Sequence, residues 1–482
     1  MAACSLPMPM PLADMSSPTV AIFNVAMIGH VNPTFALVQE LVQRGCRVHY
    51  FLPPVEAIRQ AAKDSGAFVE SYQPDVQDLV LEQCGTQEPP AEIDPEELAL
   101  WTRAVWPLAS TLLCGDYICR RCEELGVSVV LYDPMTPHGL LVAEKLKIPK
   151  ASLVTYPGMG SLSELMSHTE RLQRAAEIRK PLGDEIQKVF GVDLQVELLT
   201  RRQYYAPMNF ITTCEDLVAP LPEDAPWAEE LRTHCSFIPV GCLVSARAPH
   251  VITARSNGQV LSRAKSFGHG LPAAELSAQL AQGHKIVFAA LGTMALSDRW
   301  AIDLGRASGG NLPLGTTGKQ YCQHVWKALL EAMEELGEDY YCVLSAGKQP
   351  DALDFLEDDD DDYALPQNVI VRTFVPQVEM LNHYTSVFLS HVGFNSLQES
   401  LMAGVPLVAV PQAVDQPANA RKVESCGWGV SFFHPMSSVS GPALASALRA
   451  VGGQQGFHAA VAEAKADLQG GAERLTEKLL EL

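Results

Sequence analysis

No apolar run in the 482-residue chain reaches the ~20 residues that a membrane-crossing helix needs, so no integral membrane segment is expected. The first residues, Met1–Ser17, lack the basic start of a secretory signal and carry Asp14 among Met and Pro, which predicts a disordered tail. Positive charge is scarce: 35 Lys and Arg stand against 56 Asp and Glu, a net charge of −21 that argues against nucleic acid or an acidic membrane surface as a partner. Metal-type cysteine spacing is missing too. Of 12 cysteines, Cys119 and Cys122 form a C-x-x-C, but in a charged helical context without a matching second pair, so no zinc is assigned. Free thiols in a reducing, cytoplasmic compartment are expected. The consecutive carboxylates of Glu357–Asp362 read as a solvated loop, not a metal site.

What is present is an ordinary globular composition, 47% hydrophobic and 19% charged, over a length that suits two or three domains. Thr19–Met27 is nearly all apolar, the mark of a parallel strand covered on both faces. The loop Ile28–Val31 follows, then a helix with Asn32 as its cap, Pro33 at its first position and Gly45 past its end. Strand candidates Arg47–Leu52, Val127–Tyr132, Ala151–Thr155 and Asn209–Thr213 alternate with helical patterns, which predicts a doubly wound, mostly parallel sheet. Phe237–His250, with its Pro and Gly residues, is the best linker. A second α/β series then runs through Lys285–Leu291, Tyr340–Ser345 and Asn368–Phe374, with Asp298–Tyr321 read as a long loop or insertion.

The richest stretch is Phe374–Gly429, two strand–loop–helix units in tandem. Ser386–Ser390 is a short apolar strand, His391 opens its exit loop, and a helix runs from about Ser396 to a left-handed stop at Gly404. Leu407–Val410 is the next strand, with exit loop Pro411–Gln416 and a helix that has Pro417 in its first turn. Polar residues thus collect at the carboxyl ends of parallel strands and at helix amino ends, where open α/β sheets bind ligands and exposed N–H groups favour anions. Ser396-x-x-Glu399 also has the form of a capping box, which needs no ligand.

Those residues resemble the nucleotide-sugar signature of UDP-dependent glycosyltransferases with the GT-B fold, notably the macrolide- and plant-type enzymes. The resemblance runs from about Val20 to Leu482, leaving Asp298–Tyr321 outside it. It implies two Rossmann-like domains facing across a cleft: an acceptor domain over residues 18–240, a donor domain over 241–455, and a final helix, 456–482, that returns to the first domain. By the same resemblance Phe374 stacks on uracil, with Val375 beside it and Gln377 on the nucleoside. His391, Gly393, Phe394, Asn395 and Ser396 surround the diphosphate, joined by Thr293 of a Gly-Thr turn. Glu399 holds the ribose hydroxyls, and Asp415 and Gln416 hold the sugar hydroxyls. Val392 departs from the smaller residue that many relatives have there, and its β-branch stiffens the loop. Relatives anchored in the endoplasmic reticulum end in a membrane helix, whereas Glu473–Glu481 is charged and amphipathic.

Glycoside formation needs a hydroxyl made nucleophilic, a held anomeric carbon and a stabilised leaving diphosphate. Histidine is the natural base because its pKa lies near neutrality. His30 follows the first strand, and Asp133 ends another strand at the same edge, where a carboxylate can fix the imidazole tautomer. Gly29–Pro33 is similar to the family's catalytic-histidine motif and Tyr132-Asp133 to the site of its partner; Ile28 stands where many relatives have a further histidine, so His30 is the one candidate. The resemblance therefore implies an inverting, metal-independent enzyme with no cofactor that moves a hexose, glucose first, from a UDP-sugar to a small hydrophobic acceptor. A nucleotide-sugar epimerase or hydrolase on the same fold, or a silent UDP-binding protein, are the alternatives.

Overall fold

The computed structural model describes residues 17–72, 95–166, 169–198, 204–244, 268–305, 308, 310–356 and 365–482. The acidic run Glu357–Asp362, most of the amino-terminal tail and the part of the expected linker from residue 245 on lie outside them. Two wholly parallel sheets carry the architecture. The first has seven strands in the order β3-β2-β1-β4-β5-β6-β7. They are β1 (Thr19–Phe23), β2 (Arg47–Phe51), β3 (Phe68–Glu70), β4 (Val129–Tyr132), β5 (Lys150–Val154), β6 (Met208–Ile211) and β7 (Ser236–Pro239). The second has six, in the order β10-β9-β8-β11-β12-β13. These are β8 (Lys285–Ala290), β9 (Tyr340–Ser345), β10 (Val369–Arg372), β11 (Val387–Ser390), β12 (Leu407–Ala409) and β13 (Gly429–Ser431). The apolar runs became buried strands because helices cover both faces of each sheet: β1 and β4 are buried at every residue. Short β3, β7 and β13 were not anticipated, since three or four residues carry no readable period.

Strand order decides where a ligand can sit. In the first sheet the order reverses between β1 and β4, where Phe23 pairs with Tyr132. In the second it reverses between β8 and β11, where Ala290 pairs with Ser390. At such points adjacent exit loops part in opposite directions and leave a crevice at the carboxyl edge. The two crevices face each other, because Asn395 Nδ2 donates to the Gly29 carbonyl at 2.9 Å across 366 residues of sequence.

The chain crosses back at its end. The helix Gln455–Leu468 packs on the second core through Val461, Ala464 and Leu468. The helix Gly471–Leu480 then places Leu475 and Leu479 in the first core with Phe35, Val38 and Leu41. Its turn is pinned: Cys242 N–H donates to the Leu468 carbonyl, and Arg474 Nε donates to the Val240 carbonyl at 2.6 Å. Among the described residues, no helix is long and apolar enough to cross a membrane.

Candidate active site

The residues after β1 do not form the expected loop. A helix begins at Ile28 and runs to Gln43, so His30 lies in its first turn and Pro33 lies inside it, not at its start. Proline tolerates the early interior at the cost of one bond, because it has no N–H for the carbonyl four residues back. That carbonyl is Gly29, the one that receives the Asn395 amide from the other domain. Asn24 supplies further support by donating to the His30 carbonyl and to Tyr50 Oη, both at 3.0 Å. Tyr50 Oη in turn meets Thr34 Oγ1 at 2.6 Å. The first turn carrying His30 is therefore held from the sheet side and from across the cleft.

Asp133 follows β4 and is almost fully buried. Its Oδ2 lies 2.6 Å from His30 Nδ1, and its Oδ1 accepts the Met135 N–H at 2.8 Å. The carboxylate fixes a turn with one oxygen and the imidazole with the other. Burial, the largest influence, lowers the His30 pKa, but the charge and hydrogen bond of Asp133, with the charge of Asp415, outweigh it and the net shift is upward. His30 and Asp415 sense each other's charge across the cleft.

In the second domain Ser396 and Glu399 do not form the capping box that their spacing allows. The helix is Phe394–Ala403, capped by Gly393 without a side-chain bond, so Ser396 and Glu399 are both inside it. Gln377 Nε2, at the start of the helix Gln377–His383, donates to Glu399 Oε2 at 2.5 Å and to Ser396 Oγ at 3.0 Å. Burial lifts the Glu399 pKa to about 7 against the opposing bond from Gln377. The phenyl ring of Phe374 is half-buried with the His269 ring 5.2 Å away, while Val375 sends its side chain into the core and leaves only backbone for a ligand.

His391 lies against Gly292, the residue before Thr293, in keeping with the β8–β11 register. Gly292 is needed there: at φ +78°, a Cβ on it would lie 2.3 Å from His391 Nε2. Burial lowers the His391 pKa to about 4, so the ring is neutral at pH 7 and can serve as a hydrogen-bond donor but not as a charge. Val392 holds φ +52° while fully buried, an unfavourable conformation for a β-branched residue. The exposed Thr293 lies on the turn after β8.

Asp415 precedes the helix Gln416–Ser425, and Asn419 Nδ2 donates to its Oδ2 at 2.9 Å. Burial raises its pKa, opposed by Asn419, by the Phe394 N–H and by His30. Gln416 is turned inward: its Oε1 accepts the N–H groups of Gln412 and Ala413. Only its amide nitrogen remains for a ligand. Val414, between them, is 55% exposed at φ +61°. Sequence reasoning missed Asn24, His269 and Gln412, none of which carries a local signal; each matters through a partner brought by the fold.

Two parallel αβ domains with facing switch-point crevices, one holding a His–Asp pair and the other helix amino ends, make up the GT-B architecture. Known proteins agree. Residues 346–461 match the family described as UDP-glucoronosyl and UDP-glucosyl transferase. The chain is 24% identical over 467 residues to NDP-glycosyltransferase YjiC of Bacillus subtilis (strain 168), spanning 95% of this chain and 96% of that one. A 65-residue stretch is 48% identical to mogroside IIIx synthase of Siraitia grosvenorii, covering 13% of this chain and 14% of that protein. Its fold matches the glycotransferase of kitacinnamycin with a TM-score of 0.64 at 20% identity, covering 96% and 98% of the two chains. It also matches the glycosyltransferase SnogD from Streptomyces nogalater with a TM-score of 0.57 at 19% identity, covering 96% and 99%. The chain therefore has the GT-B fold and carries, over residues 346–461, a match to the UDP-glucoronosyl and UDP-glucosyl transferase family.

Proposed function

We propose that the protein is an inverting hexosyltransferase that moves glucose from UDP-glucose to a hydroxyl of a small hydrophobic acceptor, with His30 as base, Asp133 as its partner and no metal. The observation that carries this reading is the 2.6 Å His30–Asp133 contact placed opposite the Asp415 loop. With Asp133 accepting from Nδ1–H, Nε2 is left with a lone pair for the acceptor proton. The acceptor oxygen attacks the anomeric carbon as His30 takes its proton. The bond from that carbon to the diphosphate breaks, and its electron pair leaves with UDP. Negative charge grows where the amino end of the helix Phe394–Ala403, His391, Ser396 and Thr293 gather, an electrostatic provision that needs no cation.

Phe374, Gln377 and Glu399 suit a uridine, its base on the ring and its ribose on the carboxylate; Asp415 suits sugar hydroxyls. A hydrophobic acceptor is supported by the side chains around the cleft: Met27, Met135 and Val414, each within three residues of His30, Asp133 or Asp415, are 49%, 37% and 55% exposed. We assign the protein to the cytoplasm, in keeping with its buried free thiols. The test is UDP release from UDP-glucose with and without a panel of hydrophobic hydroxyl compounds. Acceptor-dependent release that His30→Ala abolishes, with UDP affinity kept, is expected. Release without acceptor identifies a hydrolase or epimerase, and UDP binding without turnover by any compound identifies a silent binding protein.

A further inference from the structure

The described residues of Asp298–Tyr321, which the sequence reads as a long loop or insertion, pack as a folded element. After the π-turn Met294–Asp298, Trp300, Leu304 and Leu312 are buried with Val287 and Ala289 on the face of the second sheet opposite the one that carries Val461 and Leu468. Leu304 N–H donates to the Thr316 carbonyl at 2.7 Å. A capping box between Thr317 and Gln320 then starts the helix Gly318–Leu336, whose Tyr321 hydroxyl donates to the Val410 carbonyl. Close approach fixes the path, because a Cβ on Gly318 would lie 2.4 Å from the Ala295 carbonyl oxygen.

From this element the buried side chain of Asn311 also reaches the exit loop of β12. Asn311, 6% exposed, donates from Nδ2 to the Pro411 carbonyl at 2.5 Å and to the Gln412 carbonyl at 3.4 Å. Its Oδ1 accepts the His434 N–H at 3.4 Å. The same loop is tied on its other side by Gln412 Nε2 to the Leu291 carbonyl and at its end by Gln416 Oε1. Between these ties Val414 is forced to positive φ and Asp415 follows directly. A loop clamped in this way keeps a left-handed valine because the surrounding bonds over-determine it.

We propose that Asn311 is a positioning residue for the donor sugar: by holding Pro411 and Gln412 it sets where Asp415 presents its carboxylate, and so governs sugar recognition while leaving nucleotide recognition alone. This rests on the reading that Asp415 meets the sugar. The nucleotide side of the site, Phe374, Gln377 and Glu399, belongs to other elements and shares none of these bonds. The test uses the full chain and compares affinities for UDP and UDP-glucose by calorimetry. Asn311→Asp keeps the acceptor for His434 and removes both donated bonds; Asn311→Ala removes the side chain should the carboxylate impair folding. The expected result is a roughly tenfold loss of UDP-glucose affinity relative to UDP, the size of one charged hydrogen bond from a displaced Asp415 to the sugar, and reduced discrimination between UDP-glucose and UDP-galactose. Equal weakening of both ligands, or no change in either, overturns the proposal. Asp415→Ala separates the two levels. If that variant also fails to distinguish UDP-glucose from UDP, the sugar site itself is misassigned and this inference falls with it. If it distinguishes them and the Asn311 variants do not, only the role of Asn311 is refuted.

Discussion

Replacing Asp133 tests the dyad most sharply, because its two oxygens have different partners. Asp133→Ala removes a 2.6 Å contact to an imidazole that, in the proposed mechanism, becomes cationic as it takes the acceptor proton. Such bonds contribute about 1.5–3 kcal/mol, which translates to a fall in kcat of roughly 10- to 150-fold. Asp133→Asn should be worse, although it is closer in shape. The introduced amide keeps its oxygen on the Met135 N–H, now held by Oδ1 at 2.8 Å, and so turns its NH2 towards His30 Nδ1. The ring must then accept at Nδ1 and carry its proton on Nε2, the nitrogen that has to act as base. A further loss of about tenfold beyond the alanine variant is expected from the wrong tautomer.

The pH profile supplies an independent sign. In the wild type, burial lowers the His30 pKa but Asp133 and Asp415 raise it above its ordinary value of 6.5, so activity climbs with pH through a limb above that value. Without the Asp133 charge, burial prevails and the limb moves to lower pH while the plateau drops. Rates measured across a pH series with saturating donor would show both movements. A variant with full activity, an unmoved acid limb, or an asparagine variant more active than the alanine variant would refute the reasoning.

The other expectations concern binding and stability. On the proposed ribose contact, UDP should bind up to about tenfold tighter at pH ~8 than at pH ~6, because burial lifts the Glu399 pKa to about 7 and its carboxylate is the stronger acceptor for the ribose hydroxyls. In Glu399→Gln calorimetry should find the profile flat. Val414→Gly relieves a left-handed β-branched residue that is largely exposed, so it should raise stability by about 1 kcal/mol in denaturant melts. At Val392 the same change also removes a buried isopropyl group of comparable value, and stability should not improve. Gly241→Ala would set a Cβ 2.0 Å from Arg474 Nη2 and 2.8 Å from the Leu468 carbonyl oxygen at φ +96°, and should destabilise the chain by about 2 kcal/mol or more. Limited proteolysis near residue 470 would detect the undocked final helix.

The sequence by itself determined the parallel strands, because a strand buried on both faces must be apolar along its covered length, as Val20–Phe23 and Ile286–Ala290 are. It also determined which polar residues stand at their carboxyl ends, since a strand's exit loop is fixed by where the apolar run stops. Glycine stops such as Gly404, at φ +77°, were equally local. Other features were settled only by contacts between distant segments. Pro33 reads as a helix start; that it sits inside the helix follows from the Asn24, Tyr50 and Asn395 bonds that support the turn around it. Ser396 and Glu399 have the spacing of a capping box as well as of ligands, but the helix begins two residues earlier at Phe394 and Gln377 bonds both side chains. Gln416 reads as a sugar ligand, yet half of its amide is spent on its own loop. In each case the local pattern offers two uses for one polar group. Burial against a partner remote in sequence selects between them, because a polar atom taken out of water must find its bond wherever the fold supplies one.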